Sequence, residues 1–404
     1  MTPRLTIVLP LKGRELFTLR FLWHANRAKL PYRILIADGQ VHPPLAEMLD
    51  RARDLFPALE LEYLRYPDDS NFSRYYAKLS DAIGRVRSPY VMLADNDDFP
   101  AQAGIDASLR FLDSHPDYVC CGGGLAGFSV FAGLNDPLGG LVGRPNRYAY
   151  RYTPFDRSED YGDETVAARL RRGSRNWWSF YAVFRQPALA TIFSEVVEID
   201  FSDLQLYELF CAMRTLTLGK ARSDGTTIAY LRQYGTSQRS SFRKDWVDHL
   251  LRSRFTSDFH AMIERIAQVA ARSDGVPAAP IAEELRDICA QWLREFLQVN
   301  YGSLQSLKQW MREHTPALVN WLKHRRRFSA GRERAGLFRQ LATDGASEEY
   351  LARFRNELAA IEDVLCGREF VRFIEPLVST MVPAGSGNWS DAAIRDRLRR
   401  IVTV

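Results

Sequence analysis

The segment Tyr90-Val91-Met92-Leu93-Ala94-Asp95-Asn96-Asp97-Asp98-Phe99 runs from a short apolar stretch directly into three carboxylates. Neighbouring carboxylates repel one another and raise each other's pKa values unless a cation or a bound ligand compensates them. An extended backbone places Asp95 and Asp97 on the same side. Because hard divalent ions prefer carboxylate oxygens, we expect Asp95 and Asp97 to bind Mg²⁺ or Mn²⁺, which would also hold a diphosphate. The alternative is that Asp97 and Asp98 only begin a turn before Pro100 and cap the next helix.

The residues before this segment alternate between apolar strands and helical patterns. Strands are predicted at residues 5–9, 32–37, 59–66 and 90–94, and helices at residues 15–28, 44–55 and 72–86. Continuous apolar strands separated by helices indicate a parallel sheet covered on both faces, in which ligands bind at the carboxyl ends of the strands. The polar residues at 10–14, 38–39 and 95–98 all follow strands. We therefore expect them to meet at one edge of the sheet.

These motifs resemble those of a nucleotide-sugar-dependent glycosyltransferase of the GT-A fold, most similar to family 2, over residues 1–240. In that family the first strand ends in Pro and a basic loop, the second ends in Asp and Gly beside the nucleobase, and a D-x-D motif binds metal. The resemblance implies an α/β fold with a mostly parallel sheet and a donor of the nucleotide-diphosphate sugar class. It assigns donor binding to Pro10, Lys12, Arg14, Asp38, Gly39, Lys78, Asp95 and Asn96, and metal binding to Asp95 and Asp97.

The chain departs from the family pattern in two respects. The segment at residues 71–78 matches only loosely, since Ala77 and Lys78 stand where the family carries an Arg-Asn pair, so Lys78 would contact phosphate or sugar as a point charge. The Q-x-x-R-W signature of processive polysaccharide synthases is missing. These features disfavour a processive synthase and favour a soluble bacterial subfamily that acts in glycan or polysaccharide synthesis.

An inverting transferase also needs a general base that takes the proton of the acceptor hydroxyl. The resemblance places this base at the start of a helix well after the D-x-D motif, following a strand predicted at residues 178–184. Asp203 is the first choice there, Asp200 the second and Glu208 the third. The alternative for Asp203 is an N-cap of the helix predicted at residues 204–216, a role worth about 1 kcal/mol.

Further candidates could contact the diphosphate or the acceptor. A strand predicted at residues 226–231 leads into a polar loop that is suited to closing over a diphosphate, or is an ordinary surface loop. Trp177 could stack on a sugar ring or belong to the core. The candidates are Arg74, Trp177, Arg232, Gln238 and Arg239. Glycines at 122–124 lack a phosphate-binding pattern, and acceptor recognition is expected within residues 122–175.

The composition is that of a globular enzyme. The chain has 404 residues, of which 46% are hydrophobic and 25% charged, and five cysteines without a C-x-x-C pair, which predict reduced thiols rather than zinc or disulfides. No apolar run approaches the ~18 residues of a membrane-spanning helix, and the strand at 5–9 is too short for a signal peptide, so we expect a cytoplasmic protein. The net charge of +5 is weak and scattered, and no nucleic-acid partner is expected.

The pattern changes after residue 244 to long helical periods. We expect a catalytic domain at residues 1–244 and a helical domain or extension at residues 245–404, whose tryptophans belong to its core. A basic segment at residues 323–339 is either a solvated helix face or a contact with an anionic membrane surface. The expected acceptor is a glycan, a lipid-linked group or a protein. Two other classes stay open: a sugar nucleotidyltransferase, although the G-x-G-x-R loop is missing, and a non-catalytic protein that binds glycans or nucleotides.

Overall fold

The computed structural model describes residues 3–40, 45–46, 49, 56–128, 130, 140–142, 153–155, 158–173, 177–233, 253–301, 330–366 and 368–377. The strands are β1 (Leu5–Leu11), β2 (Arg33–Asp38), β3 (Leu61–Arg65), β4 (Tyr90–Leu93), β5 (Phe99–Pro100), β6 (Tyr118–Phe128), β7 (Thr153–Phe155), β8 (Glu159–Tyr161), β9 (Val183–Arg185) and β10 (Lys220–Gln233). Within these ranges they form one sheet in the order β3-β2-β1-β4-β9-β6-β10-β5, with β7 beside β6 and β8 beside β10.

The N-terminal half of the sheet is parallel, as the apolar strands predict. β1 pairs in parallel with β2 and β4, and β2 pairs in parallel with β3. The register sets Leu11 opposite Asp38 and Val8 opposite Leu93, so the carboxyl ends of the three central strands meet at one edge. The prediction of an α/β fold on a mostly parallel sheet, followed by C-terminal helices, is confirmed, and the arrangement is consistent with a GT-A-like architecture.

The helices flank this sheet and then continue to the end of the described chain. They are α1 (Glu15–Ala28), α2 (Phe72–Gly84), α3 (Gln102–Ser114), α4 (Val166–Gly173), α5 (Gln186–Ile199), α6 (Leu204–Leu218), α7 (Phe255–Asp274), α8 (Ala278–Tyr301), α9 (Ala330–Thr343), α10 (Glu348–Cys366) and α11 (Arg368–Ile374). The predicted helix at 15–28 has these bounds in the structure. Most of the helix predicted at 44–55 lies outside the described residues.

The strand predicted at residues 178–184 is wrong in its first part. A 3-10 helix, Trp177–Tyr181, occupies that position and is followed by the short strand β9. The reason is the packing of Trp178, which is 3% exposed and lies against Gly122 of β6. A Cβ atom on Gly122 would stand 3.0 Å from the Trp178 ring, and one on Gly123 would stand 2.7 Å from the backbone nitrogen of Ala229. The glycines therefore belong to a strand, where they allow close packing on both sides.

The C-terminal helices share their core with the sheet. Buried residues of α7, α8 and α11 belong to the large core cluster that contains β1, β2 and β4. A second cluster joins Phe99, Phe128 and Leu231 of the sheet to Phe354 and Leu358 of α10. In the described part of the chain, no helix has the length and apolar character required to cross a membrane. The division at residues 244 and 245 stays a prediction.

Candidate functional site

Three carboxylates lie together at the carboxyl edge of the sheet, in the acidic turn formed by residues 95–98. One carboxylate oxygen each from Asp95, Asp97 and Asp98 lies within 4.8 Å of the others. Asp97 is 3% exposed and Asp98 is 2% exposed. Carboxylate oxygens at this spacing are suitable ligands for a hard divalent cation. The sequence pattern pointed to Asp95 and Asp97, and the structure adds Asp98 to the cluster.

Two stacked tyrosines hold the first residue of the acidic turn. The Tyr181 hydroxyl donates to Oδ2 of Asp95 at 2.8 Å, and the backbone nitrogen of Asp95 donates to the Tyr230 hydroxyl at 2.7 Å. The two rings stack with their centroids 4.5 Å apart. Because Tyr181 is the last residue of the 3-10 helix and Tyr230 lies in β10, the orientation of Asp95 depends on elements that are distant in sequence.

Arg14, directly before α1, and Arg20, within α1, both donate hydrogen bonds to Asp97 of the acidic turn. Arg14 donates from Nη2 to Oδ2 of Asp97 at 3.0 Å. The fully buried Arg20 donates from Nη2 to the carbonyl oxygen of Asp97 at 2.6 Å and to Oε1 of Gln233 at 2.7 Å. Gly13 and Arg14 both have left-handed backbone conformations, with φ of 70° and 63°, which turn the chain sharply from β1 into α1. This turn brings the Arg14 side chain to Asp97.

The protein does not fully compensate the charges of Asp95 and Asp98. Burial raises the pKa of Asp98 well above its usual value, and the charges of Asp97 and Asp95 raise it further. The pKa of Asp95 is also raised, by burial first and then by Asp97, while the Tyr181 hydrogen bond, Arg232 and Arg14 lower it. A cluster that protonates this readily has a deficit of positive charge, which a divalent cation would supply. The donor set and its electrostatics both fit such an ion.

Asp38 ends β2 beside a surface pocket. Its Oδ1 accepts from the backbone nitrogen of Gln40 at 3.0 Å, and its Oδ2 accepts from the Tyr63 hydroxyl at 2.7 Å. Burial raises the pKa of Asp38, although these two hydrogen bonds oppose the shift. The pocket has a volume of about 380 Å³, and Gln40, Arg65, Tyr66, Pro67 and Asp68 line it. Its size and polar lining suit a heterocyclic base.

Gly39 is required by a close approach of a carboxylate. A Cβ atom at position 39 would stand 2.5 Å from Cγ of Asp69. Asp69 in turn pairs with Lys78, whose Nζ donates to this carboxylate and to the carbonyl oxygen of Leu11 at 2.8 Å. The side chain of Lys12 is 42% exposed and lies 3.4 Å from Oδ1 of Asp69. The carboxylate of Asp69 thus connects the ends of β1 and β2 with α2.

Of the residues that the sequence predicted to bind the donor nucleotide, some are exposed at this edge of the sheet and others are buried. Lys12 is half exposed, and Arg14 faces the acidic turn. Lys78 is 3% exposed and already donates to protein oxygens, so it supports the strand ends rather than facing a ligand. Asn96 is also buried, and its Nδ2 donates to Oγ1 of Thr18 at 3.1 Å. Pro10 lies within β1, opposite Ala37.

The remaining diphosphate and acceptor candidates are dispersed. Arg232 lies at the end of β10, with its guanidinium 5.5 Å from the centre of the Tyr181 ring, and therefore close to Asp95. Arg74 donates to the carbonyl oxygen of Asp68 at 3.1 Å, near the pocket lining. The side chain of Trp177 is not described, and Gln238 and Arg239 lie outside the described residues.

Asp203 is the N-cap of α6 in the structure. Its Oδ1 accepts from the backbone nitrogen of Gln205 at 2.8 Å, and the residue is 0% exposed. Asp200 lies before it in a left-handed conformation with φ of 56°, where its carbonyl oxygen accepts from Arg254 at 2.8 Å. In this arrangement neither Asp203 oxygen is open to an acceptor hydroxyl. The cap alternative describes the observed contact.

Glu208 lies one helical turn into α6 and is half-buried. The pKa of Tyr75 is raised by burial, then by the charges of Asp95 and Glu208. The pKa of Arg232 is raised by Tyr181, and further by carboxylates that include Asp95 and Glu208. Two side chains from different elements thus interact electrostatically with both carboxylates. Glu208 therefore acts electrostatically on two of the side chains on which Asp95 also acts.

Sequence reasoning missed several residues that build the site. These are Arg20, Asp98, Tyr181, Tyr230 and Gln233. Asp98 was visible as the third carboxylate of the opening segment. An arginine in the apolar helix α1 was a usable signal as well, because a buried guanidinium requires several acceptors. The tyrosines gave no local signal, since their hydroxyls reach Asp95 only through the tertiary fold.

No protein-family model matches the chain. No curated protein matches it at the level of sequence. Among solved structures, residues 1–349 of TarS from S. aureus match with a TM-score of 0.42 and 12% identity, covering 99% of this chain and 90% of that chain. The same TarS fragment in complex with UDP-GlcNAc matches with a TM-score of 0.43 and 13% identity over the same shares. The mannosyltransferase PcManGT from Pyrobaculum calidifontis, in complex with GDP-Man and Mn²⁺, matches with a TM-score of 0.37 and 12% identity, covering 88% of this chain and 87% of that chain. At these scores the likeness is distant.

Proposed function

We propose that this chain is a metal-dependent glycosyltransferase that transfers a sugar from a nucleotide-diphosphate sugar to a hydroxyl group. The observation that carries the proposal is the cluster of Asp95, Asp97 and Asp98, three carboxylates that lie together at the carboxyl edge of a parallel sheet. Ligands of such sheets bind at this edge. The pocket beside Asp38 opens on the same edge and would take the nucleobase.

The protein groups around the cluster suit a diphosphate leaving group. Asp95, Asp97 and Asp98 would hold a Mg²⁺ or Mn²⁺ ion, which neutralises charge on the departing diphosphate. Arg14 and Arg232 lie beside these carboxylates and would contribute fixed positive charge to the same region. Lys12, directly after β1, is half exposed and pairs with Asp68 and Asp69, so it would supply positive charge on the pocket side of this edge.

The transfer requires one proton acceptor. The acceptor oxygen forms a bond to the anomeric carbon as the bond from that carbon to the diphosphate breaks, and the hydroxyl proton passes to a carboxylate. We propose an inverting reaction in which Glu208 takes this proton, because it is half-buried near Arg232 while Asp203 is enclosed as a helix cap. Asp203 retains the position that the family resemblance implies, so variants of both residues must be compared.

The surrounding assignments are proposed on the same basis. Residues 1–244 would form the catalytic domain, with residues 245–404 as a helical extension packed on it. The acceptor would be a glycan, a lipid-linked group or a protein. Residues 323–329 of the basic segment lie outside the described residues, and Arg334 within it pairs with Glu362 at 2.9 Å, as expected of a solvated helix face.

A panel of nucleotide sugars tests the function. The melting temperature is measured with each nucleotide sugar, with and without Mn²⁺, because a ligand that binds the native state stabilises it by mass action. We expect one donor class to raise the melting temperature only with the metal, and Asp97→Asn to abolish that rise. Asp344→Asn is the matched control, since Asp344 is exposed directly after α9 and accepts from Nε2 of Gln340 at 3.1 Å.

Product analysis then separates the classes. Slow release of nucleoside diphosphate from the stabilising donor would support a transferase. Release of pyrophosphate from a nucleoside triphosphate and a sugar phosphate would identify a nucleotidyltransferase instead. Metal-dependent binding of a donor that is never turned over, with any acceptor or with water, would identify a binding protein. If no nucleotide sugar stabilises the chain, the proposal is wrong.

A further inference from the structure

One face of α10 contacts both protein segments that support the acidic turn. Tyr350, Phe354 and Glu357 are spaced at i, i+4 and i+7, so they lie along one side of the helix. Phe354 is 0% exposed, and the ring of Tyr350 stacks on it with a centroid separation of 5.7 Å. This face completes the second core cluster, which contains Phe99 directly after the acidic turn. The helix is therefore anchored beneath the candidate metal site.

Tyr350 holds β10 at an irregular position. Its hydroxyl accepts from the backbone nitrogen of Ile228 at 2.6 Å and donates to the carbonyl oxygen of Ile228 at 3.3 Å. The pairing of β10 with β6 shifts register on both sides of Ile228. A single side chain from α10 thus satisfies both backbone groups at the point where the strand pairing is interrupted.

Glu357 holds the first turn of α3. The N-cap residue of α3 is Ala101, which provides no side-chain acceptor. Glu357 supplies one from a distant helix, because its carboxylate oxygens accept from the backbone nitrogen of Ala103 at 3.0 and 3.2 Å. Arg353, on the same helix, pairs with Asp106 of α3 and lies 3.5 Å from Glu357. A carboxylate at a helix N-terminus is favoured by the helix dipole as well.

The two segments that α10 contacts are β10 and the first turn of α3. They adjoin the pair of strands that supports the acidic turn. β5 and β10 pair antiparallel, with Phe99 opposite Leu231, and the backbone nitrogen of Ala101 donates to Ala229 at 2.9 Å. Beyond this pair, the backbone nitrogen of Gln233 donates to Oδ1 of Asp98 at 2.7 Å. The contacts of α10 at Ile228 and Ala103 therefore lie at one end of this strand pair, and Asp98 and Gln233 lie at its other end.

We propose that Tyr350 and Glu357 are positioning residues of the acidic turn, so that the affinity of this turn for a divalent cation depends on the docking of α10. The identity of the ligand rests on the proposed function. Ligands of a metal ion must be held within about 0.5 Å of their working positions, and here that precision depends on two side chains that do not contact the ion. α10 thereby supports the proposed metal site through β10 and α3.

Four variants of the full chain test this role. Tyr350→Phe removes only the hydroxyl, and Glu357→Ala removes the carboxylate. The matched controls are Tyr90→Phe, which loses a hydroxyl bonded to Asp113 at the other end of the sheet, and Glu362→Gln, which lies on the same α10 but pairs with Arg334. Mn²⁺ affinity is measured by titration calorimetry at a temperature at which circular dichroism shows each variant to be folded.

We expect Mn²⁺ to bind at least fivefold more weakly to Tyr350→Phe and Glu357→Ala, and within twofold of the parent chain to both controls. Hydrogen exchange without metal is the second measurement. Peptides that cover residues 95–101 and 228–233 should exchange at least tenfold faster in the two test variants only. If Glu357→Ala does not fold, Glu357→Gln replaces it, since it keeps an acceptor oxygen but loses the charge.

The outcomes separate the two proposals. Unchanged Mn²⁺ affinity together with unchanged exchange in the folded test variants would overturn the positioning role and leave α10 as a stabilising helix only. Absence of Mn²⁺ binding in the parent chain would overturn the proposed function, whereas the exchange rates would still decide whether α10 orders the acidic turn. An equal loss of Mn²⁺ affinity in the two test variants and in the two controls would likewise contradict a specific role for Tyr350 and Glu357.

Discussion

The Tyr181 hydroxyl donates a 2.8 Å hydrogen bond to Oδ2 of Asp95, and this contact joins the 3-10 helical turn to the start of the acidic turn. The hydrogen bond lowers the pKa of Asp95 against the dominant effect of burial. It therefore favours the ionised form of the carboxylate, which is the form that binds metal. We therefore predict that Tyr181 affects the affinity of the acidic turn for a metal ion, although it is not proposed as a ligand.

Tyr181→Phe tests this determinant. The variant keeps the ring that stacks on Tyr230 but loses the hydroxyl, so the pKa of Asp95 should rise further and Mn²⁺ affinity should fall. A hydrogen bond to a charged group contributes about 1.5–3 kcal/mol, which corresponds to roughly a tenfold to hundredfold loss. Titration calorimetry at pH 7 measures this loss of Mn²⁺ affinity. An affinity equal to that of the parent chain would show that Asp95 needs no such donor.

Asp38→Asn tests the nucleobase pocket. The amide preserves the size of the side chain but removes its charge and replaces one acceptor oxygen with a donor. We expect the affinity for free nucleoside diphosphate to fall, because the amide cannot accept both from the backbone nitrogen of Gln40, which lines the pocket, and from the Tyr63 hydroxyl. The affinity for Mn²⁺ alone should not change. Unchanged nucleoside diphosphate affinity would place the base elsewhere on the sheet edge.

Asp203→Asn and Glu208→Gln separate the two candidates for the general base. Glu208→Gln should bind donor and metal normally but reduce turnover by about 10² or more, because an amide cannot accept the proton. Asp203→Asn retains an acceptor oxygen for Gln205 and should keep most of its turnover. Single-turnover assays measure the rate of transfer by each of the two variants. The reverse result would return the catalytic role to Asp203, and loss in neither variant would direct attention to Asp200 or to a retaining reaction.

Gly39→Ala tests the close packing at the end of β2. The added Cβ atom would stand 2.5 Å from Cγ of Asp69, so either the strand end or the pair between Asp69 and Lys78 must move. We expect a loss of about 1–3 kcal/mol in the free energy of unfolding, measured by urea denaturation. Gly84→Ala is the control, because a Cβ atom there meets nothing within 4 Å. A loss at position 84 as large as at position 39 would contradict this explanation.

His24 should make stability depend on pH. Burial, together with the charges of Arg20 and Arg27, lowers the pKa of His24 to about 3. Between this value and the unfolded value of about 6.5, the unfolded chain binds the additional proton, so stability is complete above pH 6.5 and declines as the pH falls. At pH 5 the loss is about 2 kcal/mol.

The measurement compares urea denaturation at pH 7 and pH 5. His24→Phe cannot be protonated and should lose about 2 kcal/mol less than the parent chain over this interval. His260→Gln, at an exposed position of α7, serves as the control and should follow the parent chain. Parallel pH profiles for the parent chain and His24→Phe would mean that His24 is protonated in the native state.

The parallel half of the sheet could be predicted from the sequence because its signal is local. Four apolar runs predict the strands, and the polar clusters that follow three of them, at residues 10–14, 38–39 and 95–98, predict the edge where these clusters meet. The bounds of α1 followed from its apolar period. The same reasoning was wrong for Trp178, because an aromatic residue in a 3-10 turn and one in a strand have similar local patterns, and only the glycine of β6 opposite it distinguishes them.

The site was predictable only where its residues are adjacent in sequence. Asp95 and Asp97 were visible as a pair, and Asp38 as the end of a strand. Arg20 reaches Asp97 and Gln233 across the fold, and no periodic pattern encodes such contacts. The role of α10 was hidden for the same reason, since its contacts with Ala103 and Ile228 are pairings between remote parts of the chain.

The contact between Glu357 and Ala103 spans 254 positions, and that between Tyr350 and Ile228 spans 122. Contacts of such long range form late, since the loop between them must be closed first. During translation, the acidic turn leaves the ribosomal exit tunnel long before α10 has been synthesised. α10 is the helix that contacts β10 and α3, which support this turn. A nascent chain would thus complete its parallel half early, and the acidic turn would gain its full support only after α10 has emerged.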